Sequence, residues 1–187
     1  LIYYYMTTNI KPIVKWAGGK SKIFSHFKTK YNTLNPDRFF DLFCGSLSLP
    51  LCLTPQNAVF NDINIWLINL YKVVKKYLPL LKKQLNELNK EKYNSSEEFY
   101  TIRSKYNTMK HKDKLSKKEL IEMAAIFIYL NKRSFNGLYR ENLSGDYNVP
   151  YRKNNTSIYC EEDLDNLSKY FNDNNIILNQ NHMMNLK

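Results

Sequence analysis

The fold is decided by the stretch Arg38-Phe39-Phe40-Asp41-Leu42-Phe43-Cys44-Gly45, in which a short apolar run ends at a glycine turn. Two similar runs follow, Ala58-Val59-Phe60-Asn61 and Asn175-Ile176-Ile177-Leu178. Short apolar segments bounded by turn residues are typical of buried strands in a parallel sheet. Between the second and third runs, residues 66–92 carry apolar side chains at helical spacing, and Pro79 predicts a kink there. The pattern predicts an α/β protein.

Polar motifs indicate where further helices begin and where the chain forms a loop. Ser95-Ser96-Glu97-Glu98 and Ser116-Lys117-Lys118-Glu119 both match the capping box, so a helix is expected to start at each. Residues 131–155 are rich in Asn, Arg, Gly and Tyr and contain the turn Ser144-Gly145-Asp146, which predicts a loop with a hairpin. Glu161 to Phe171 is expected to form a short amphipathic helix.

Composition narrows the classes of function. Hydrophobic residues make up 43% of the 187 residues and charged residues 24%, which excludes a disordered tail and a fibre. Lysine and arginine number 28 against 17 acidic residues, and the net charge of +11 favours a polyanionic partner, nucleic acid before a membrane surface. The three cysteines form no CxxC pair, which argues against a zinc site. We expect a protein that is not secreted and has no membrane or metal partner, located in the cytoplasm or, where a nucleic-acid partner would be, in a nucleoid or viral factory.

Two glycine turns are candidates for ligand binding. In Lys15-Trp16-Ala17-Gly18-Gly19-Lys20, the glycines allow close backbone approach and the following helix start favours an anionic group, although an ordinary turn into a helix has the same pattern. In the second, Asp62 follows Gly45 by seventeen positions at the end of the next strand. A glycine turn after one strand and a carboxylate after the next are typical of a nucleoside site. A similar sheet without a ligand remains the alternative.

Four segments, taken in order, resemble the Dam-type (D12 class) DNA adenine N6-methyltransferases. They are Lys15–Lys20, Asp41–Gly45, Asn61–Asn64, and Arg133–Arg140 leading to Tyr147–Pro150. The resemblance runs from Lys11 to about Leu178. It implies a Rossmann-like S-adenosylmethionine-dependent methyltransferase sheet, incomplete in this chain, with a helical plus β-hairpin DNA-recognition insert. The implied activity is methyl transfer from S-adenosylmethionine to adenine in double-stranded DNA, at a GATC-like target.

The resemblance also implies two sets of site residues. Those for the cofactor, S-adenosylmethionine, are Trp16, Gly18, Lys20, Phe43, Gly45 and Asp62, of which Asp62 would hold the ribose. Those for DNA are Phe135, Asn136, Leu138, Arg140, Pro150, Arg152 and Lys153. The chemistry agrees, since Arg140 can bond a guanine edge in bidentate fashion, Asn136 can pair with a base edge, and Leu138 suits a thymine methyl. Four basic residues are also typical of phosphate contacts: Arg133, Arg140, Arg152 and Lys153. For Asn136 alone, an ordinary glycine-containing loop is the alternative.

The implied domain organisation has three parts. Residues 6–64 are expected to form the N-terminal part of the cofactor-binding methyltransferase domain. Residues 65–158 are expected to form the target-recognition insert, and residues 159–187 to return to the methyltransferase sheet, truncated. In such a sheet the strand ending at Asp41 is central, so a chain that lacks its next strand would expose an apolar edge at Phe39, Phe40, Leu42 and Phe43 and tend to aggregate.

Two departures from the family pattern affect the implied activity. Leu47 stands where the family's turn has a second glycine, which predicts poorer backbone approach to the cofactor. The family's catalytic tetrapeptide, Asp, Asn or Ser followed by Pro-Pro and Tyr or Phe, is absent from the 187 residues. We therefore expect a fragment with no catalytic residue of its own, whose partners are DNA and the missing C-terminal segment. The alternatives are a catalytically dead DNA-binding remnant and a nucleotide-dependent reductase, which would need a GxGxxG turn that Gly45-Ser46-Leu47-Ser48 does not supply.

Overall fold

The computed structural model describes residues 10–18 and 24–181, and this part of the chain forms six α-helices and three strands. In chain order they are α1 (Phe24–Leu34), β1 (Phe39–Asp41), α2 (Ser48–Leu53), β2 (Asn57–Asn61), α3 (Ile65–Leu88), α4 (Ser96–Lys110), α5 (Lys117–Arg133), α6 (Glu161–Asp173) and β3 (Asn175–Asn179). Short 3₁₀ turns lie at Glu91–Tyr93 and Phe135–Gly137. The three predicted strands and the predicted helices are confirmed to within a few residues.

The strands form a parallel sheet in the order β1-β2-β3, which confirms the α/β class. Val59 lies opposite Phe40 of β1 and opposite Ile177 of β3. The carboxyl ends of all three strands therefore meet at one edge of the sheet. Ligands of open parallel sheets bind at this edge. Gly45 and Asp62, which follow β1 and β2, both lie there.

The kink predicted at Pro79 is present and explains two contacts between α3 and α6. Tyr77 leaves helical geometry at φ −136° and ψ 30°. Proline has no N–H, so the carbonyl of Lys75 four residues earlier loses its helical partner. The Asn172 side chain of α6 donates to that carbonyl at 3.0 Å, and Ser168 donates to the carbonyl of Val74 at 2.9 Å. The two polar side chains of α6 thus satisfy the backbone of the bent helix.

A single hydrophobic core joins the sheet to the helices. Helix α3 packs against α5 and α6 and also contacts β3. Buried side chains of β2, such as Phe60, belong to the same cluster as Ile68 of α3 and Phe127 of α5. Residues 65–158 therefore share the core of the sheet, and the expected domain boundaries remain predictions. No helix in the described ranges is long and apolar enough to cross a membrane.

The outer edge of β1 carries exposed aromatic side chains. Among the described residues, β1 pairs with β2 alone. Phe40 and Phe43 are 57% and 62% exposed, whereas Phe39 and Leu42 are half-buried. Two of the four side chains named for the apolar edge are thus exposed. The aggregation that this edge would promote remains a prediction.

The starts of α3, α4 and α5 have side-chain caps, and the cap of α5 makes stability pH-dependent. At the start of α5, Ser116 and Glu119 form the reciprocal capping box, and Lys112 also donates to Glu119 at 2.8 Å. The hydrogen bonds from Lys112 and Ser116 lower the pKa of Glu119 from 4.5 to about 2. Because the folded state disfavours protonation, Glu119 contributes stability that is complete above its ordinary pKa and is lost as the pH falls toward about 2.

We therefore expect the difference in unfolding free energy between the wild type and Glu119→Gln to shrink as the pH falls from about 6 to about 2. Urea denaturation at a series of pH values measures this difference. A difference that stays constant over the range would contradict the role assigned to the ionised carboxylate.

Candidate functional site

Five of the six residues predicted to bind the cofactor line one pocket at the carboxyl edge of the sheet. The pocket has a volume of about 270 Å³ and is lined by Trp16, Ala17, Gly18, Phe43, Cys44, Gly45, Ser46, Ser48 and Asp62. The sixth predicted residue, Lys20, lies outside the described residues. We call this the small pocket. Its only charged lining residue within the described part of the chain is Asp62.

The Gly45 peptide is held from both sides. Its N–H donates to Asp62 Oδ2 at 3.0 Å, and its carbonyl accepts from the Tyr71 hydroxyl at 2.6 Å. Asp62 Oδ1 accepts from the Asn64 N–H at 2.9 Å, so each carboxylate oxygen has one backbone donor. Burial raises the pKa of Tyr71 well above its ordinary value, so the hydroxyl remains a donor even at a pH where an exposed tyrosine ionises. Asp62 is 8% exposed, and each of its oxygens has a further lone pair for a ligand hydroxyl.

Two residues of the glycine turn, Gly45 and Leu47, have a left-handed backbone conformation. Gly45 has φ +48°, and a Cβ there would lie 2.8 Å from Trp16 Cδ1. Leu47 has φ 61° and ψ 17°, a conformation that costs a non-glycine residue about 1–2 kcal/mol. Its side chain is fully buried in the core and is not part of the pocket lining. The turn therefore has a glycine-like shape at Leu47, and the expected effect on cofactor approach remains a prediction.

An aromatic stack connects the small pocket to the segment Arg133–Arg140. The Trp16 ring lies 5.3 Å from Tyr139 at an interplanar angle of 25°. Phe127 of α5 stacks with both, at 6.2 Å from Trp16 and 5.2 Å from Tyr139. Offset stacks of this kind add about 0.5–1.5 kcal/mol beyond the area that they bury. The resemblance assigned no role to Tyr139 or Phe127, because nothing in the sequence shows that they meet Trp16.

A larger cleft of about 800 Å³ adjoins the small pocket and shares Trp16, Ala17 and Ser46 with it. Four residues predicted to bind DNA line the cleft, namely Asn136, Leu138, Arg152 and Lys153. Lys15 and Lys132 also line it, and sequence reasoning assigned neither of them to a site. Of the described residues around the cleft, four are basic and none is acidic. This surface is suited to a polyanion.

The other residues predicted to bind DNA lie on the turn and hairpin beside the cleft. The Phe135 N–H donates to the Pro150 carbonyl at 3.0 Å, and both residues are exposed. Arg152 Nη1 donates to Asn136 Oδ1 at 3.1 Å, so these two side chains are in contact. Arg140 is exposed, and its Nε donates to Asn148 Oδ1 at 2.7 Å. Four of the seven predicted DNA residues thus line the cleft, whereas Phe135, Arg140 and Pro150 lie outside its lining on adjacent parts of the turn and hairpin.

Side chains of α4 support the hairpin. Ser134 with Tyr151 and Glu141 with Tyr147 form isolated antiparallel bridges, and within the described ranges the hairpin has no longer ladder. Asn107 bonds both the N–H and the carbonyl of Tyr147, at 2.9 and 3.1 Å. Further contacts from α4 are Arg103 to the Val149 carbonyl and Lys110 to Glu141 and the Gly145 carbonyl, and His111, which follows α4, contacts Asp146. The sequence predicted this helix but not its role as a platform.

The prediction that Arg133 contacts phosphate is wrong. Arg133 is 3% exposed, and its Nη1 donates to the carbonyl of Thr156 at 2.8 Å and to that of Asn154. A guanidinium that is buried against loop carbonyls cannot reach a DNA backbone. Its position at the end of α5, where carbonyls and loop backbone gather, explains the contacts. Arg133 is a structural residue.

Comparison with known families agrees with this geometry. The family model for the D12 class N6 adenine-specific DNA methyltransferases matches residues 16–187. The chain belongs to this family. The match covers the small pocket, the aromatic stack and the hairpin. It also covers the cleft, except for the lining residues before Trp16.

Three named relatives show how similar this chain is to known methyltransferases. It is 37% identical over 175 residues to the type II methyltransferase M1.LlaDCHI of Lactococcus lactis subsp. cremoris, which covers 90% of this chain and 57% of the relative. It is 33% identical over 174 residues to the type II methyltransferase M.MjaIII of Methanocaldococcus jannaschii, with 86% and 58% covered. It is 30% identical over 154 residues to the DNA adenine methylase of Escherichia coli K12, with 82% and 52% covered. The chain therefore spans a little over half the length of these relatives.

Two glycines test how closely the small pocket is built around Trp16. Gly45→Ala adds a methyl group against the Trp16 ring and forces an alanine to φ +48°, whereas at Gly18, with φ +82°, an added Cβ meets nothing within 4 Å. We expect Gly18→Ala to lower the unfolding free energy by the backbone cost alone, about 1–2 kcal/mol. Gly45→Ala should lower it by about 1–3 kcal/mol more, since the ring must move.

Urea denaturation measures both losses, and near-ultraviolet circular dichroism reports the Trp16 stack. Gly45→Ala is expected to change the aromatic signal and Gly18→Ala to leave it as in the wild type. Equal losses of stability with equal spectra would contradict the packing of Trp16 on Gly45.

Proposed function

We propose that this chain binds S-adenosylmethionine and duplex DNA for methyl transfer to the N6 amine of adenine, at a GATC-like target. The observation that supports the proposal is the junction of the two pockets: the predicted cofactor residues line one, predicted DNA residues line the other, and Trp16, Ala17 and Ser46 belong to both. A methyl donor in the small pocket would lie beside the nucleic acid in the cleft. Membership of the D12 class supports the same assignment.

The small pocket has the chemical groups that this cofactor requires. Asp62 offers carboxylate oxygens to ribose hydroxyls, and Trp16 and Phe43 offer aromatic surface to the adenine ring. The carboxylate also favours the positive charges of the sulfonium and the amino group. When bound, S-adenosylmethionine supplies an electrophilic methyl group. The protein's part is to hold and orient the molecule at the carboxyl edge of the sheet.

The surface around the large cleft has the groups that a DNA duplex requires. Arg152 and Lys153 are exposed cations for phosphates, while Arg140, Asn136 and Leu138 are assigned to base edges. We propose that residues 65–158 are the helical and hairpin recognition insert of an incomplete Rossmann-like methyltransferase sheet. On this view α4 belongs to the insert as the support of its hairpin.

The reaction itself needs groups that these 187 residues do not contain. The exocyclic amine of adenine is a poor nucleophile, and the family's Pro-Pro tetrapeptide accepts its hydrogen bonds and stacks on the flipped base. We propose that a separate C-terminal segment supplies the tetrapeptide next to the exposed edge of β1, where Phe40 and Phe43 lie. The absence of the tetrapeptide equally favours a second candidate, a DNA-binding remnant without catalysis.

Methylation in cells separates these candidates. A plasmid rich in GATC sites is propagated in cells that express the 187 residues, and separately in cells that express the open reading frame containing them. The plasmid is then digested with a methyl-sensitive GATC nuclease. We expect protection only where a Pro-Pro-Tyr-type segment is expressed with the chain. Protection by the 187 residues alone would contradict the assignment of catalysis to that segment. An open reading frame that contains the tetrapeptide yet leaves the GATC adenines unmethylated would overturn the proposed activity at this target.

DNA binding by Arg140 and Lys153 can be compared directly, because both are exposed cations. Arg140→Ala should cost about 1–3 kcal/mol on the preferred site and relax discrimination there. Lys153→Ala should weaken all duplexes alike and reduce the slope of log affinity against log salt by about one. Fluorescence anisotropy with target and scrambled duplexes at several salt concentrations measures both effects. Equal losses on all sequences for Arg140→Ala would make it a phosphate contact.

A further inference from the structure

One buried amide connects the segment before Trp16 to the turn at Gly137. Asn131, near the end of α5, is 6% exposed. Its Nδ2 donates to the carbonyl of Lys15 at 2.9 Å and to that of Gly137 at 2.8 Å. Its Oδ1 accepts from the N–H of Lys15 at 2.9 Å. Both polar ends of this side chain are therefore used, and they bond two segments that are far apart in the sequence.

The two segments held by Asn131 also pack directly against each other. A Cβ at Gly137 would lie 2.7 Å from Lys15 Cδ and 3.2 Å from the Asn131 carbonyl oxygen, and Gly137 has φ +66°. No side chain larger than hydrogen fits there without moving Lys15. The close approach is a second constraint on the same junction, because it is a packing contact between Gly137 and the Lys15 side chain and not a hydrogen bond of the amide.

Each group that Asn131 holds is adjacent in sequence to a candidate ligand residue. Lys15 precedes Trp16, which lines the small pocket, and Gly137 lies between Asn136 and Leu138, which line the large cleft. A shift of either peptide would therefore move a side chain of one pocket relative to the other. A rigid amide at this junction sets the distance between the two pockets.

We propose that Asn131 is a positioning residue that holds the cofactor segment and the recognition turn in register, so that loss of its amide weakens cofactor binding and DNA discrimination together. The inference rests on the proposed function, since it assigns S-adenosylmethionine to the small pocket and DNA to the cleft. Asn131 also lines the large cleft, but its amide is bonded to Lys15 and Gly137, and we infer that it acts through these two residues. Neither the resemblance nor the family match assigns it a role.

The isosteric variant Asn131→Asp tests the proposal. A carboxylate keeps the size of the side chain and the acceptor for the Lys15 N–H, but it places a second oxygen against the carbonyls of Lys15 and Gly137. Unsatisfied or repelling buried groups of this kind shift binding equilibria by about tenfold. We expect the Kd for S-adenosylmethionine to rise about tenfold, measured by calorimetry. The ratio of affinities for target and scrambled duplexes, measured by anisotropy, should fall about tenfold.

Asn69→Asp is the matched control. The Asn69 side chain donates to the Leu120 carbonyl at 2.9 Å and joins α3 to α5 away from both pockets. It carries the same chemical change at a partly buried amide. We expect Asn69→Asp to lower the melting temperature but to leave the cofactor Kd and the DNA ratio within about twofold of the wild type. A change in the control equal to that of Asn131→Asp would assign both effects to general destabilisation and overturn the proposal.

Gly137→Ala gives a second test that keeps the Asn131 amide and decides the question if Asn131→Asp does not fold. The added methyl group would lie against the Lys15 side chain and would strain the turn at φ +66°, so it should produce the same paired loss. A folded variant that changes only one of the two affinities, or neither, would overturn the positioning role. A wild-type chain that binds neither ligand would instead overturn the proposed function, and the inference with it.

Discussion

The site depends on a carboxylate that ties the ends of two parallel strands together. Asp62, which follows β2, accepts the Gly45 N–H from the turn after β1, and the buried Tyr71 hydroxyl of α3 binds the carbonyl of the same residue. Parallel strands are not joined by a tight turn, so their ends need another constraint at the edge where ligands bind. Here a side chain supplies it. The Gly45 peptide is thereby immobilised, and Trp16 packs against the space that a Cβ would fill.

Elsewhere in the molecule, two asparagine side chains make the backbone hydrogen bonds that a neighbouring strand would otherwise make. Asn131 bonds the N–H and the carbonyl of Lys15, and Asn107 bonds those of Tyr147. An amide side chain has a donor and an acceptor side by side, so it can pair with a peptide as an adjacent strand does. This arrangement lets irregular segments lie close to helices without unsatisfied backbone groups. The hairpin of residues 134–151, with its isolated bridges, is stabilised in this way.

The sequence predicted the elements of the fold better than the contacts of the site. The three strands, the Pro79 kink and the helix starts at Ser95 and Ser116 follow from local chemistry, and each is present. Five of the six residues that the family motifs assign to the cofactor also line one pocket in the structure. Roles that depend on distant partners could not be predicted, because no local pattern encodes them. The amide of Asn131 follows directly on an apolar helix run, and Tyr71 occupies an ordinary core position of α3. Arg133 was misassigned for the same reason, since its burial depends on residues 154–156.

The two adjoining pockets divide the charge of the site between them. Among the described lining residues, the small pocket has one carboxylate and no cation, whereas the cleft has four cations and no carboxylate. A sulfonium compound and a phosphate polymer have opposite charges. A single site with charges of both signs would not direct each of them to a separate position. The carboxylate of the small pocket favours a cationic ligand and the cations of the cleft favour an anionic one, because the local electrostatic potential determines where a charged ligand binds. The uncharged Trp16, Ala17 and Ser46 lie at the boundary, where a methyl group would pass between the ligands. The net charge of +11 is therefore unevenly distributed over the described lining residues, since four cations line the cleft and none lines the small pocket.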